Sequence, residues 1–424
     1  NAMHDRHPAL IVRAANEADV VAAVDYAREH GMEVAIRSGG HNVAGLGSID
    51  GGLVIDMTRI DDIELDTRAR TVRVGGGAHW GQVDAATHQA GMATPSGIIS
   101  TTGVAGLTLG GGFGYLSRKY GLTIDNLLSA RVVTANGELV TASDRENPDL
   151  FWAIRGGGGN FGDVTSFEFR MYPVETVYGG PIFFPAAAGA DILAFYRDFV
   201  TTAPRELGLF FGFHEAPPAP FVPEALHGAK ACMIQTCWTG KPEEAEAVLR
   251  PIREAGPVAL DLAGPIPFPA LNSMFDALLP YGLHHCWKAD YAAEISDGAI
   301  AVHTKYGPQI PNFFSLMHLY PLDGAMQEVP SSAMAYAQRE AQFIHIIAGV
   351  DSDPANMPAI TQWVRKYWSE LHPFSMGAAY VNFMMDEGQD RIRATYRDNY
   401  PRLVEEKREW DPQNLFHVNQ NIRP

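Results

Sequence analysis

Gly157-Gly158-Gly159-Asn160-Phe161-Gly162-Asp163-Val164-Thr165-Ser166-Phe167-Glu168-Phe169-Arg170 is the stretch whose reading decides the fold. Its Gly157-x-Gly159-x-x-Gly162 spacing matches the dinucleotide fingerprint, which must follow a strand and open a helix. Here residues 163–170 read as a strand, so a Rossmann unit is excluded on context. The glycines keep a second use: they let main-chain amides approach a pyrophosphate in conformations closed to other residues.

Three further clusters share that character: Arg37-Ser38-Gly39-Gly40-His41-Asn42, Gly75-Gly76-Gly77 and the run from Thr101 to Gly114. Any one of them suits an ordinary tight turn. Four within 37–162 point to backbone packed closely on a bound group. His41 ends a strand and a Gly-Gly turn, a position that projects an imidazole over a ligand. Around these clusters short elements alternate. A helix is expected from Asn16, a plausible cap, to Ala27, with Val20, Val21, Val24 and Ala27 at helical spacing. Strands are expected at 33–37, 52–56 and 71–74, a helix at 81–89, and a strand pair at 127–140 around Asn136-Gly137. A second unit has strands at 209–214, 229–238 and 313–320. Its clearest helices are 243–250, stopped by Pro251, and 357–372, and connectors lie at 179–190 and 216–223. A strand at 380–383 and a helix at 400–408, stopped by Asp411-Pro412, close an α+β chain.

The 424 residues are 46% hydrophobic, enough for one or two substantial cores. Lys plus Arg number 32 against 49 Asp plus Glu, a net charge of −17 that argues against nucleic acid and membrane as partners. Cys232, Cys237 and Cys286 fit no disulfide framework and no common zinc pattern, so no metal is expected. With no apolar run of membrane length and no signal segment, and with Asn1-Ala2 set aside as a cloning remnant, the expected location is the cytoplasm.

Taken together, the motifs resemble a family. Arg37-Ser38-Gly39-Gly40-His41 resembles the flavin-attachment segment of FAD-linked oxidases of the vanillyl-alcohol-oxidase superfamily, in the berberine-bridge-enzyme-like branch. The resemblance continues through Thr101–Gly114, Tyr120-Gly121-Leu122-Thr123-Ile124-Asp125-Asn126, Asn147-Pro148-Asp149-Leu150-Phe151-Trp152-Ala153 and Gly156–Thr165. It closes with Tyr380-Val381-Asn382-Phe383 and Asp411-Pro412-Gln413-Asn414-Leu415-Phe416-His417-Val418-Asn419-Gln420-Asn421-Ile422. It implies an FAD-binding domain of two α/β subdomains from 3–176 and 375–424. The substrate domain, 177–374, is an antiparallel sheet covered by helices. It also implies a single covalent link from His41 to the flavin 8α-methyl, which strengthens the flavin as hydride acceptor. The implied cofactor contacts are Arg37, Ser38, Gly39, Gly40, Asn42, Thr101, Thr102, Gly103, Gly106, Gly110, Gly111, Gly112, Gly114, Asp125, Asn126, Gly159, Asn160, Gly162, Val164 and Asn419. The implied reaction moves a hydride from a small organic alcohol, sugar or secondary metabolite to FAD, with O2 reduced to H2O2. Alternatives are a dehydrogenase using another acceptor, oxidation of an amine or phenol, and a silent flavin-binding protein.

Three positions depart from the family pattern. Ile99 stands where bicovalent members have a second attachment residue, a Cys. Thr102 stands where a Val or Leu often gates oxygen. Asn382-Phe383 replaces an Asn-Tyr pair whose Tyr is the usual base. Strand alternation at 380–383 sets Phe383 with Val381 and turns Tyr380 to the other face. The replacement base is then sought on Leu316-Met317-His318-Leu319-Tyr320, where His318 and Tyr320 share a face, with Lys288 and Asp290 as a second pair. Tyr281, His284, Trp287 and Phe314 are candidate pocket residues.

Overall fold

The computed structural model describes residues 1–220 and 222–424. Three large sheets carry it beside a two-stranded ribbon of Met92–Ala93 and Tyr172–Pro173, and its α+β class is as the sequence implies. Leu10–Arg13, Leu53–Asp56 and Val34–Arg37 form a parallel sheet in that order. Helix Glu17–His30 covers it, burying Val20, Ala23, Val24 and Ala27. Asn16 caps that helix by accepting from the Asp19 N–H, and Gly31 ends it in the left-handed region at φ 60°. The second sheet is antiparallel: Ile63–Asp66, Thr71–Gly75, Asp163–Arg170, Leu127–Val133 and Leu139–Ser143. Asp163–Arg170 runs through its middle, so the glycine run before it feeds a central strand and not a helix.

The third sheet has eight antiparallel strands. Thr176–Pro185, Lys230–Trp238, Leu207–Glu215, Leu316–Pro321, Phe343–Asp351 and His284–Ala292 lie side by side. Alternation divides their side chains between two cores. Leu209, Phe211, Phe213, Met317, Leu319, Phe343 and Ile347 pack under helices Gly189–Val200, Ala245–Glu254, Asp297–Tyr306 and Met357–Leu371. Phe210, Tyr320, Ile344, Ile346 and Ala348 face the other way, onto Phe113, Tyr115 and Tyr380. That second face closes one end of the functional cavity. Among the described residues no helix is long and apolar enough to cross a membrane.

Three local expectations are corrected. The glycines and prolines of 179–190 are not a connector at their start, since Thr176–Pro185 pairs with Lys230–Trp238 in unbroken register. Pro251 does not stop its helix, because it lies on the exposed side while Leu249 and Ile252 anchor the helix in the core. Residues 380–383 are not a strand. Val381–Phe383 is one turn of 3-10 helix, closed by the Phe383 N–H donating to the Tyr380 carbonyl.

The chain end folds back on the glycine run. Lys407 and Asp411 are fully buried and 2.7 Å apart, and the Lys407 ammonium also donates to the carbonyls of Asn160 and Phe416. Asp411 accepts from the Leu415 and Phe416 N–H groups. Removing one partner of a buried, fully bonded pair strands the other charge. Lys407→Met is therefore expected to cost about 3–5 kcal/mol, measured as a lowered melting temperature.

Candidate active site

One long cavity runs between the three sheets, lined at one end by Val34, Ile36, Asp163 and Phe416 and at the other by His318, Tyr320 and Ile346. Its middle is built from two glycine turns that abut backbone to backbone. A Cβ on Gly39 would lie 2.3 Å from the Gly103 nitrogen, and one on Gly103 would lie 2.4 Å from the Gly39 nitrogen, so neither position tolerates a side chain. Beside this contact the main-chain N–H groups of Ser38, Gly39, Gly40, His41 and Asn42 have no hydrogen-bond acceptor among the described residues. Such a run of unpaired amides is a nest for an anion. At Gly106 and Gly159 a Cβ would meet only open space. Asn419 donates to the carbonyls of Gly159 and Phe416 at 3.0 Å each, while its own Oδ1 is buried without a partner. Asp163 likewise has an unpartnered buried Oδ2, and burial pushes its carboxyl up to about 7.

His41 lines the same cavity. Its Nε2 lies 2.9 Å from the Thr101 hydroxyl. Burial, then the neighbouring His79, lowers its imidazole to about 4, so it is neutral at pH 7. With Nε2 engaged, Nδ1 is the nitrogen left free.

At the far end the walls are aromatic and aliphatic. Phe113 is central, its ring centroid 5.1 Å from Tyr320, 5.1 Å from Tyr380 and 5.8 Å from Phe383. Phe275, Leu278, Trp287, Leu316, Ile346 and Ala348 complete the enclosure. His318 and Tyr320 do share a face, and the His318 Nδ1 lies 2.6 Å from the Tyr320 hydroxyl. Both are buried; burial pushes the phenol up and the imidazole well below its ordinary value. Tyr380 was expected to turn away, yet the 3-10 turn brings its ring within 5.0 Å of Phe383. Its oxygen accepts from the Gly112 N–H at 2.7 Å and from the Asn382 amide at 2.8 Å. Both lone pairs are thereby engaged, so this hydroxyl can only donate.

Of the residues expected around a cofactor, Arg37, Ser38, Gly39, Gly40, His41, Asn42, Thr102, Gly103, Gly106, Gly159, Asn160, Gly162, Val164 and Asn419 line the cavity, as do Asn382 and Phe383. Ile99 lines it too, and none of the three buried cysteines does. Of the other residues expected there, Thr101, Gly110, Gly111, Gly112, Gly114, Asp125 and Asn126 do not line this cavity. A Cβ on Gly110 would collide with Asn382, and Gly112 serves Tyr380. Asp125 pairs with buried Arg339 at 2.6 Å. Asn126 donates to the Tyr120 and Leu122 carbonyls and accepts from the Tyr172 hydroxyl. Of these, Gly110, Gly111 and Gly112 pack on the turn that carries Tyr380 and Asn382. The second polar pair is structural: Lys288 bridges to Glu387 at 3.0 Å, and fully buried Asp290 accepts from Trp368, His372 and Arg391. Tyr281 is 81% exposed, and His284 and Phe314 stand off the cavity walls, leaving Trp287 alone of that group.

Unpaired amides for a diphosphate, orphan acceptors for a nucleotide or ring N–H, and an apolar chamber beyond fit a dinucleotide cofactor with a small molecule beside it. Residues 8–143 match the FAD binding domain family and 379–423 match the berberine and berberine-like family. An FAD-linked oxidoreductase of Dictyostelium discoideum is 30% identical over 98% of this chain and 89% of its own. (R)-6-hydroxynicotine oxidase of Paenarthrobacter nicotinovorans is 28% identical over 99% and 92%. The crystal structure of 6-hydroxy-D-nicotine oxidase from Arthrobacter nicotinovorans superposes with a TM-score of 0.86 at 25% identity, covering 100% of this chain and 94% of that one. The chain belongs to the berberine-bridge-enzyme-like FAD-linked oxidoreductases of the vanillyl-alcohol-oxidase superfamily. It is an enzyme with FAD as cofactor, in a class that acts on CH–OH or CH–NH groups.

Proposed function

We propose that the enzyme dehydrogenates an uncharged, largely apolar alcohol to the carbonyl compound, with FAD joined to the chain by one bond through His41 Nδ1. FAD, held by the residue 38–42 amides, Asn419 and Asp163, would supply the hydride acceptor, with O2 as the final oxidant to give H2O2. The observation that carries the reading is the composition of the substrate chamber. Among the described residues the only acidic or basic side chains on the cavity wall besides histidine are Arg37 and Asp163, both near the glycine turns, and the chamber itself offers aromatic and aliphatic surface around Tyr320 and Tyr380.

The two hydroxyls divide the work. Tyr380, with both lone pairs engaged, donates to the substrate oxygen and orients it. Tyr320 retains acceptor capacity and takes the substrate's hydroxyl proton as its own proton moves to His318 Nδ1. Phe383 and Asn382 shape the wall and hold Tyr380. A sugar presents several hydroxyls that this chamber would strand without partners, at about 1–3 kcal/mol each. Oxidation of an amine is the second reading, supported by the named activity of the (R)-6-hydroxynicotine oxidase relative. With no carboxylate in the chamber among the described residues to hold an ammonium, such an amine would bind neutral.

The test is anaerobic stopped-flow reduction of the bound flavin by benzyl, cinnamyl and 2-naphthylmethyl alcohols, benzylamine, glucose and cellobiose, followed by peroxide assay in air. The alcohols are expected to bleach the flavin and yield peroxide. Bleaching by the sugars alone would overturn the reading, and bleaching without peroxide would reassign the electrons to another acceptor.

A further inference from the structure

We infer that His214 is the terminal proton acceptor of a buried relay, Tyr320–His318–His214, through which the substrate's hydroxyl proton leaves the chamber. The inference rests on the proposed role of Tyr320 and His318 and extends it to a residue on a different strand, 104 positions away in sequence.

His214 lies on Leu207–Glu215, which pairs antiparallel with Leu316–Pro321 so that Gly212 stands opposite His318. Alternation puts His214, Gly212 and Phe210 on the cavity side of the sheet, diagonal to His318. The Nε2 atoms of the two imidazoles are 2.7 Å apart, while the other nitrogen of His318 holds Tyr320 at 2.6 Å. Glycine at 212 makes the room: a Cβ there would lie 2.8 Å from the His318 ring and 3.2 Å from His214 Nε2. Phe210 packs 4.7 Å from the His318 ring, and Phe275 stacks on His214 at 6.2 Å with an interplanar angle of 18°. Walled by these rings, His318 has hydrogen bonds to Tyr320 and His214 alone among the described residues.

A neutral imidazole has one N–H and one lone pair, so His318 joins its neighbours in a single direction at a time. At rest Tyr320 donates to His318 Nδ1, and His318 Nε2–H donates to His214 Nε2. Burial holds both imidazoles below their ordinary range, so neither carries an extra proton at pH 7. When the substrate O–H breaks, its proton bonds to the Tyr320 oxygen. The Tyr320 proton bonds to His318 Nδ1, and the His318 Nε2 proton bonds to His214 Nε2. Each N–H or O–H bond lost is matched by one formed. The electron pair leaves separately, as the hydride from the substrate carbon to the cofactor, and a single positive charge rests on His214. His318 lines the cavity and His214 does not, so the proton ends one residue further from the substrate.

His214→Gln and His214→Asn test this on the flavin-loaded enzyme, because both keep an acceptor for the His318 N–H but neither takes up a proton. The readouts are the anaerobic flavin-reduction rate with the fastest alcohol of the benzyl, cinnamyl and 2-naphthylmethyl set, its KM, and the dependence of the rate on the deuterium fraction of the solvent. Both variants are expected to reduce about 10- to 100-fold more slowly at unchanged KM, and the curved deuterium dependence of the wild type should become linear. If both variants keep the wild-type rate and curvature while His318→Asn and Tyr320→Phe are slow, His214 only packs against His318 and the relay is overturned. If those two are also fast, or no alcohol bleaches the flavin, the underlying reading of the site falls first.

Discussion

Tyr320→Phe is expected to slow anaerobic reduction of the bound flavin by about 10²–10⁴-fold, the usual contribution of a positioned acid–base group. The substitution removes one oxygen and keeps the ring that packs 5.1 Å from Phe113 and 4.9 Å from Phe210, so the fold and the chamber should be unchanged. Burial pushes the Tyr320 phenol far above its ordinary range, so it acts as a neutral hydroxyl that accepts one proton while releasing another to His318. No alkaline limb from a resident phenolate should therefore appear in the rate. Tyr380→Phe makes the contrast. It strips the acceptor from the Gly112 and Asn382 N–H groups, and its effect should fall on substrate binding as well as rate. A Tyr320→Phe enzyme that bleaches as fast as the wild type would transfer the base to another group.

The second large effect is expected at His41. His41→Ala should abolish attachment while leaving FAD bound, because the amides of residues 38–42 and the abutting Gly39 and Gly103 turns do not depend on the imidazole. Flavin should then separate from the chain in acid or detergent. The reduction rate should fall as well, since the lost bond no longer draws electron density from the ring. Thr101→Ala is a milder probe, because it frees Nε2 to compete with Nδ1 and should slow attachment without preventing it. A His41→Ala chain that still carries flavin through denaturation would place the bond elsewhere.

Much of this was legible in the sequence where a local pattern has one reading. The strand after Gly162 excluded a Rossmann unit, Asn16 marked its helix, and two polar residues at period two in 316–320 identified His318 and Tyr320 as neighbours. What escaped needed partners distant in the chain. Glycine density at 110–114 announces close backbone packing but not its neighbours, among which Asn382, Tyr380 and Thr123 come from distant or unpatterned positions. Four residues at 380–383 do not distinguish a strand from a single helical turn, and that choice decides whether Tyr380 meets Phe383. Phe343–Asp351 has no alternation to read, because all but its last residue are buried between two cores. His214 is visible only through the register that sets Gly212 opposite His318.

The most direct test of the account is the intact mass of the purified wild-type chain after acid denaturation, followed by mapping of its peptides. The account predicts one FAD per chain, retained through denaturation and located on the peptide that contains His41. A chain of unmodified mass, with yellow flavin free in the supernatant, would contradict it and leave His41 as no more than part of the cavity wall.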